Sequence, residues 1–338
     1  MKHVFYLNSH TTFLTVLGTI EYLKIDTSDV IFLYTRNYKH NIPCNSVAEY
    51  DFTQENDICN DCYGSRTQLV KAIKLIDDFV DEKIKDDYIL YIPHLHMGTA
   101  QLLYTNPRCI KVAYVQEGAI CQPKKFVINI PIKETIKNII KNKLLLRTKR
   151  VWRGIGWYQS GTLNKQKSID SYSFSKDFFK YLPSSNHIVK WPKLNIETNV
   201  KSGSTVFVFD GHVTNGLVER EYYYNVCKLI ISKFAGENNY VKFHPAQQDD
   251  EREYIKSLFA IAEKSFSLCD DATPFELVLS NVSNLRVIGF GSSLLMYAHL
   301  LGHEVYAKDN LLLKSPLYQK YLRESDFPCF NDITNKQN

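Results

Sequence analysis

The segment YVKFHP at residues 240–245 decides the fold, because its apolar run predicts a buried strand that ends in a histidine. A second segment, RVIGFGSS at residues 286–293, ends in glycine and two serines and leads into an apolar helix. Both segments put polar groups at the carboxyl end of a predicted strand, where open α/β sheets bind ligands. Glycine and hydroxyl groups at the start of a helix also suit a phosphate.

The rest of the chain repeats this strand-and-helix pattern. Apolar strands are predicted at residues 2–7, 30–34, 87–92, 109–115 and 205–209, with amphipathic helices between most of them. Strands that alternate with helices predict a parallel, doubly wound sheet. The fold class expected from the pattern is therefore α/β.

The length of 338 residues suits two domains of ordinary size. We expect Rossmann-like domains at residues 1–195 and 204–318, and a tail at residues 319–338 that is long enough to return to the first domain. Between residues 160 and 199 the apolar pattern loosens, which predicts irregular structure before the link. Two doubly wound domains facing a cleft are similar to the GT-B architecture of many glycosyltransferases.

Composition excludes several protein classes. The 22 tyrosines and 19 phenylalanines are typical of a globular chain and not of a disordered one. No run reaches 18 apolar residues, so no transmembrane helix is expected. The amino terminus has Asn8, Ser9 and His10 inside its apolar run and lacks a small-residue cleavage site, which favours a first strand and helix over a signal peptide. These features predict a cytoplasmic protein.

The eight cysteines form no regular framework. Cys59 and Cys62 make a single CxxC pair, and a zinc site would need two more ligands, for which only Cys44 lies near in sequence. Plain thiols are therefore predicted, and a metal or redox site is the alternative.

Basic charge is concentrated between residues 124 and 153, which hold ten lysines and arginines and a single acid, Glu134. A helix is predicted at residues 131–147, and its apolar side chains fall on one face: Ile132, Ile136, Ile139, Ile140 and Leu144. Such a helix can lie on an anionic lipid surface or can be a solvated basic face packed on its own domain. Nucleic acid is a weaker interpretation, because no recognition motif accompanies the patch.

Three short motifs at predicted strand ends carry a family resemblance. They are Gln116-Glu117-Gly118, His244-Pro245 and Ser292-Ser293. In this order and approximate spacing they resemble the acidic-acidic-Gly, His-Pro and Ser-Ser motifs of bacterial sialyltransferases and polysialyltransferases. The chain departs from the first motif at Gln116, where the family has an acid, so only Glu117 can supply the carboxylate.

The resemblance implies an inverting sialyltransferase that moves sialic acid from CMP-sialic acid to a galactose-type acceptor of a bacterial surface glycan. That glycan would be an O-antigen, a lipooligosaccharide or a capsule, and it would be lipid-linked at the inner face of the inner membrane. Glu117 is implied as the base that takes the acceptor proton. His244 is implied as a catalytic residue that donates to the phosphate of the leaving CMP, and Pro245, Ser292 and Ser293 as parts of the nucleotide-sugar site.

Further candidates for the nucleotide-sugar site lie in the same half of the chain. Glu276 is placed early in a predicted helix, where it could hold the ribose hydroxyls or simply favour the positive end of the helix dipole. Gly211 in the 210–212 turn and Gly291 beside Ser292 complete this set.

In the first half, strand ends carry candidates for binding the acceptor or the donor carboxylate. They are Ser9, His10, Arg36 and His94, with His96 as the alternative to His94. A metal site at His94 and His96 is disfavoured, since no acid lies close to them in sequence.

No two aspartates are separated by a single residue, so the Asp-x-Asp motif of many metal-dependent glycosyltransferases is missing from the sequence. CMP leaves with one phosphate, so histidine, serine and a helix amino terminus could suffice, and no divalent cation or other cofactor is expected. Two alternatives remain. One is a GT-B enzyme that uses another CMP-ketosugar, such as Kdo, or a UDP-hexose. The other is a non-catalytic glycan-binding protein.

Overall fold

The computed structural model describes residues 1–40, 42, 44–118, 132–151, 169–180, 182, 185–194, 196–245, 247–270 and 273–325. The chain forms two compact units, Met1–Pro192 and Lys193–Asn338. Each unit is built around its own all-parallel sheet, so the predicted α/β class with two Rossmann-like, doubly wound domains is confirmed.

The sheet of the first unit has the order β3-β2-β1-β4-β5-β6-β7. Its strands, within the described residues, are Lys2–Leu7 (β1), Val30–Tyr34 (β2), Ala48–Asp51 (β3), Tyr88–Ile92 (β4), Cys109–Val115 (β5), Ile169–Ser173 (β6) and Ser185–Ile188 (β7). The order reverses between β1 and β4, which pair in parallel from Lys2 opposite Tyr88 onwards. A doubly wound sheet opens a crevice at this reversal, at the carboxyl ends of the strands.

Helices connect these strands. The helices described in this unit are His10–Leu23 (α1), Thr53–Asn60 (α2), Arg66–Phe79 (α3), Gly98–Thr105 (α4) and Ile132–Lys141 (α5). Single π-helical turns at Val80–Ile84 and Asn142–Leu146 extend α3 and α5. The central strands are buried on both faces, so they show continuous apolar runs such as Val4 to Leu7.

Residues 169–188 contain two strands, β6 and β7, where the loosened pattern predicted irregular structure. Their sequences, IDSYS and SNHI, are too polar to signal a buried strand. Side-chain hydrogen bonds replace the missing apolar contacts: Ser173 Oγ donates to Asn186 Oδ1 at 3.0 Å, and Asn186 Nδ2 donates to the Phe178 carbonyl at 2.8 Å. These bonds join polar side chains and backbone groups, which a pattern of apolar residues does not reveal.

The sheet of the second unit has the order β10-β9-β8-β11-β12 and reverses between β8 and β11. Its described strands are Thr205–Phe209 (β8), Asn239–Phe243 (β9), Ser267–Leu268 (β10), Arg286–Gly289 (β11) and Glu304–Ala307 (β12). Its described helices are Arg220–Phe234 (α6), Asp249–Ile261 (α7), Phe275–Asn281 (α8), Ser293–Leu300 (α9) and Pro316–Ser325 (α10).

Helix α10 packs on the second unit, since the buried Tyr318 belongs to the same apolar core as Phe207 and Phe290. The last part of the predicted tail, residues 326–338, lies outside the described residues, as do residues 124–131 and 152–153 of the basic segment. None of the helices in the described ranges combines the length and the apolar character that crossing a bilayer requires.

Candidate active site

Glu117 lies at the reversal point of the first sheet and is surrounded by polar groups from neighbouring strand ends. Asn8 follows β1, Arg36 follows β2, His94 follows β4 and Glu117 follows β5. Asn8 Nδ2 donates to Glu117 Oε1 at 2.6 Å, and Arg36 Nη1 lies 3.6 Å from the same oxygen. His94 Nε2 lies 3.6 Å from Glu117 Oε2. The structure thus brings together three predicted residues, Arg36, His94 and Glu117, and adds Asn8.

The orientation of the Asn8 amide is set by a second hydrogen bond. Thr12 Oγ1 donates to Asn8 Oδ1 at 3.0 Å, so the Asn8 nitrogen is the atom that points to Glu117. Thr12 is held in turn because Ser9 caps α1, with its hydroxyl accepting from the Thr12 amide at 3.2 Å. Ser9, predicted as a binding residue, therefore has a structural role at the start of this helix.

Sequence reasoning missed Asn8. The one signal in the sequence was its position directly after the first predicted strand, and the reversal of strand order at that point became visible only in the structure. Its contact with Glu117 joins residues 109 positions apart, so no local pattern points to it.

His94 is a buried, neutral imidazole. Its side chain is 3% exposed, and burial, together with the nearby His96 and Arg36, lowers its pKa to about 3. His94 Nδ1 accepts from the His96 amide at 3.3 Å, so the proton of the neutral ring is on Nε2, the atom that faces Glu117. A distance of 3.6 Å is too long for a hydrogen bond, and the contact is an electrostatic one.

The environment of Glu117 acts on its pKa in two directions. Burial raises the pKa of this carboxyl, while the Arg36 charge and the Asn8 hydrogen bond oppose that rise. The side chain is 17% exposed, so it is mostly dry and still reachable from solvent. A raised pKa makes a carboxylate a stronger base, which suits it to accept a proton from a bound hydroxyl.

The loops around Glu117 contain unusual backbone conformations. Arg36 and Asn37 have φ values of 56° and 55°, in the left-handed region that residues other than glycine occupy only uncommonly. Gly118, directly after the carboxylate, has φ 59°. A Cβ at residue 118 would meet nothing within 4 Å, so the glycine is required by backbone conformation and not by crowding. Such residues cluster at functional sites.

Gln116, which stands where the family motif has an acid, is fully buried. Its Oε1 accepts from the Phe174 amide at 2.9 Å and so ties the end of β5 to the end of β6. The Gln116 side chain thus has a structural role. Of the two residues, Glu117 is the one whose carboxylate lies beside Asn8, Arg36 and His94.

The other predicted residues of the first unit lie near this site with different partners. His10 Nδ1 is 3.2 Å from the Tyr38 hydroxyl, and the exposed His96 ring lies 6.4 Å from the His94 ring. Cys59 and Cys62 are buried thiols.

Cys44 lies instead beside His40 and Glu49, and the three possible ligand atoms are within 4.8 Å of one another. Both ring nitrogens of His40 have partners: the Tyr34 hydroxyl at 2.7 Å from Nε2 and the Ile42 amide at 3.2 Å from Nδ1. A metal ion would have to displace one of these partners.

In the second unit, His244 lies at the carboxyl end of β9, beside the end of β8. Its side chain is 45% exposed, and Nε2 lies 3.9 Å from Asp210 Oδ1. A Cβ at Gly211 would come within 3.7 Å of His244 Nδ1, so the predicted residue Gly211 directly borders this imidazole. His244 therefore presents its ring to solvent at the edge of the sheet where ligands bind.

Hydrogen bonds from residues near the start of α7 hold the backbone of His244 and Pro245. Arg252 Nη2 donates to the carbonyls of His244 and Pro245 at 3.1 and 3.0 Å. Gln247 Oε1 accepts from the His244 amide at 3.0 Å, and Gln247 Nε2 donates to the buried Glu251 at 2.8 Å. The position of the imidazole is thus determined by a hydrogen-bonded network.

The two serines lie at the carboxyl end of β11. Ser292 caps α9, and its hydroxyl accepts from the Leu294 amide at 3.4 Å. Ser293 is the first residue of that helix, where the backbone amides and the helix dipole favour an anion. Gly289 is required by packing, because a Cβ there would lie 2.4 Å from the Val208 carbonyl oxygen on β8. Strand β8 lies between β9 and β11, so His244 and the serines flank its end.

Glu276, the predicted ribose ligand, is half-buried in the first turn of α8. Helix α8 packs against α9, the helix that begins with Ser293. Glu276 thus lies on the helix that packs against the helix beginning with Ser293.

Comparisons with known proteins agree with this picture. A sequence profile of the family described as "Alpha-2,8-polysialyltransferase (POLYST)" matches residues 121–305, more than half of the chain. The matched range begins just after Glu117 and contains His244 and both serines. No curated protein matches the chain by sequence.

Solved structures show the fold. The chain is similar to the GT-B domain, residues 113–497, of a sialyltransferase from Photobacterium damselae, with 16% identity, coverage of 96% of this chain and 97% of that chain, and a TM-score of 0.54. It is also similar to a sialyltransferase from Photobacterium damsela, with 13% identity, coverage of 96% and 79%, and a TM-score of 0.53. At these identities the likeness establishes the GT-B fold and leaves substrates open.

Proposed function

Because the chain belongs to the alpha-2,8-polysialyltransferase family and has the GT-B fold, it is a sialyltransferase, and we propose that it is an inverting enzyme that uses CMP-sialic acid. The observation that carries the proposal is the environment of Glu117, a mostly buried carboxylate oriented by Asn8 and Arg36 at the crevice of its sheet. The acceptor is a glycan, and the donor is a nucleotide sugar.

Glu117 is the general base in this proposal. It takes the proton of the acceptor hydroxyl while that oxygen bonds to the anomeric carbon of the sialic acid, and the bond from that carbon to the CMP phosphate oxygen breaks. Attack opposite the leaving group inverts the anomeric centre. Arg36 and Asn8 oppose the rise in the pKa of Glu117 that burial causes, which favours the ionised form that accepts a proton.

The second unit binds the leaving group in this proposal. The phosphate of CMP gains negative charge as the bond breaks, and preorganised donors stabilise such charge strongly. The half-exposed His244 imidazole donates to the phosphate oxygen or protonates it, and Ser292 and Ser293 add donors at the start of α9. Pro245, Gly211 and Gly291 shape the backbone around the phosphate, and Glu276 binds the ribose hydroxyls.

The resemblance of the three motifs implied a galactose-type acceptor, whereas the description of the matched family, alpha-2,8-polysialyltransferase, favours a glycan that ends in sialic acid. We therefore propose a sialylated end of a bacterial surface glycan, joined through an α2,8 linkage. The half-exposed guanidinium of Arg36, next to Glu117, supports an acidic acceptor sugar. A galactose-ended oligosaccharide is the control acceptor. Equal transfer to this oligosaccharide and to one that ends in sialic acid would return the assignment to the galactose type.

The donor class is tested by thermal shift with CMP, UDP and GDP, since a ligand that binds the native state raises its melting temperature. We expect CMP alone to stabilise the protein. Stabilisation by UDP in place of CMP would overturn the donor assignment in favour of a UDP-hexose. Turnover with CMP-Kdo and not with CMP-sialic acid would identify the other CMP-ketosugar.

We propose that transfer needs no divalent cation, because histidine, serine and a helix terminus neutralise the single phosphate. Activity in EDTA should equal activity without it. Loss of transfer in EDTA, with recovery on adding manganese, would contradict this proposal.

We also propose that α5 and the turn that follows it bring the enzyme to an anionic membrane surface and a lipid-linked acceptor, at the inner face of the inner membrane. Ile136, Ile140 and Leu144, which recur every four residues, are 52%, 51% and 68% exposed. Exposed lysines, among them Lys137 and Lys141, lie beside this apolar stripe. An outward apolar stripe with flanking lysines supports binding to anionic lipid over packing on the same unit.

The membrane role is tested by reversing Lys137, Lys141 and Lys143 to Glu together. Binding to vesicles of anionic lipid should fall, and activity on lipid-linked acceptor should fall more than activity on a soluble oligosaccharide. The matched control reverses three exposed lysines of the second unit, Lys228, Lys264 and Lys314. Equal losses on both acceptors, or equal vesicle binding by the two triple variants, would remove this role.

A further inference from the structure

Asp309 is a buried carboxylate beneath the Gly-Ser-Ser segment of the second unit. It is 1% exposed and begins a 3₁₀ turn, Asp309–Leu312, just after β12. Its Oδ1 accepts two hydrogen bonds: from the Gly291 amide at 2.8 Å and from the Tyr318 hydroxyl at 2.7 Å. One carboxylate oxygen therefore joins the end of β11 to helix α10.

This contact continues the pairing of β11 with β12 beyond the point where the strands end. The last main-chain bond between them runs from the Lys308 amide to the Gly289 carbonyl at 2.9 Å. The chain then turns into the 3₁₀ helix, so main-chain pairing cannot extend to residue 291. The side chain of Asp309 supplies the acceptor that the Gly291 amide would otherwise lose, directly before Ser292 and Ser293.

The arrangement is energetically costly. Burial raises the pKa of Asp309, and its second oxygen, Oδ2, has no hydrogen-bond partner among the described residues. The buried His212, whose Nδ1 likewise finds no partner in the described ranges, packs against the Tyr318 ring at 5.9 Å. An apolar side chain at residue 309 would avoid this cost but would leave the Gly291 amide unsatisfied.

We propose that Asp309 is a positioning residue for the donor phosphate: through the Gly291 amide it fixes the start of α9, so that Ser292 and Ser293 are preorganised to bind the phosphate. Tyr318 holds Asp309 in place and links α10 to the phosphate site. This inference rests on the proposed function, because it assigns a phosphate to the serine segment. It adds a residue that contacts neither the nucleotide nor the sugar.

The test measures CMP affinity by calorimetry and the donor KM and kcat separately. Asp309→Ala should weaken CMP binding at least about tenfold and should raise the donor KM by more than it lowers kcat, because one bond to a charged group is lost. Asp309→Asn keeps an acceptor for Gly291 and Tyr318, so its CMP affinity should stay within about threefold of the wild-type value. Tyr318→Phe should weaken CMP binding by about two- to threefold.

Leu285→Ala is the matched control, because Leu285 is fully buried at the opposite, amino end of β11. It should lower the melting temperature without changing CMP affinity. If Asp309→Ala does not fold, the Asn and Phe variants decide: a loss of CMP affinity well above threefold in Asp309→Asn, or unchanged affinity in Tyr318→Phe, would overturn the inference. If Asp309→Ala folds and binds CMP like Leu285→Ala, the inference is likewise overturned. Failure of the wild-type protein to bind CMP would instead refute the proposed donor.

Discussion

The two candidate centres of this sialyltransferase differ in how far they are closed to water. Glu117 in the first unit is mostly buried and surrounded by Asn8, Arg36 and the buried His94. His244 in the second unit is nearly half exposed, and what is fixed there is the backbone of its loop. In the first centre, the polar and charged groups around Glu117 all belong to the protein. The second centre is more open and is suited to bind a charged ligand.

The difference follows from the chemistry assigned to each centre. A base must have its pKa set before the substrate arrives, and burial with chosen neighbours achieves this. A phosphate site needs donors held at fixed positions and open to an incoming anion. The comparison predicts that substitutions in the first centre change rate and pH dependence, while those in the second change nucleotide affinity.

The largest effect is expected from Glu117→Gln, which removes the base while keeping the size of the side chain. Turnover should fall by about 10²- to 10⁴-fold, whereas CMP affinity should stay unchanged. His244→Ala should lose CMP affinity as well as turnover. The measurements are initial rates and calorimetric CMP titrations, with Glu21→Gln on the exposed surface of α1 as the control. Loss of CMP affinity in Glu117→Gln would break the distinction between the centres.

A second effect concerns the stability of the first unit at low pH. The pKa of His94 is lowered from 6.5 to about 3, so below pH 6.5 the unfolded chain takes up a proton that the folded chain does not. Stability from this group is therefore lost as the pH falls, by about 2 kcal/mol between pH 7 and pH 5.

Urea unfolding at both pH values would measure this loss, and His94→Gln should show a correspondingly smaller pH dependence. The raised pKa of Glu117 acts in the opposite direction, because the folded state then holds the proton more tightly. Both proteins are therefore compared in the Glu117→Gln background. Identical pH dependence with and without His94 would show that this histidine is not buried neutral.

A third prediction concerns the acid limb of the pH–rate profile. Arg36 holds down a pKa that burial raises, so Arg36→Met should move the acid limb of kcat/KM to higher pH. Arg36→Lys keeps the positive charge and should move the limb less. If the acid limb of kcat/KM stays at the same pH in Arg36→Met, the titration of Glu117 does not determine that limb.

The smallest effect is expected from Gly118→Ala. Space around the added methyl group is open, so the cost is that of the left-handed backbone, about 1 kcal/mol of folding free energy. The turnover of the folded protein should change little, as judged by the rate per active molecule. A loss in rate as large as that of Glu117→Gln would show that Gly118 gives the acceptor close access to the backbone.

The sequence predicted the strands well where they are apolar. Residues 30–34 and 205–209 form strands with the predicted ends, because both faces of these strands are buried. The strands β6 and β7 were missed, since Ser171, Ser173 and Asn186 satisfy one another through side-chain bonds that no apolar pattern reveals.

The candidate sites divide in the same way. Glu117, His244 and the two serines were predicted as site residues because each follows a recognisable strand and belongs to a motif. Asn8 and Asp309 were missed because their roles depend on partners far away in sequence: Glu117 for the first and Gly291 for the second. A motif identifies the groups that meet a substrate, but the groups that hold them in place become visible only with the fold.

The tight approach of Gly289 to β8 has a practical consequence for redesigning the enzyme. Any side chain there would collide with the Val208 carbonyl, whatever nucleotide is bound. Libraries aimed at a new donor sugar should therefore vary the loop from residue 291 onwards and leave residue 289 as glycine. Residue 289 is glycine because the packing of the sheet requires it. A search among homologues for residues that determine donor preference should therefore ignore this position.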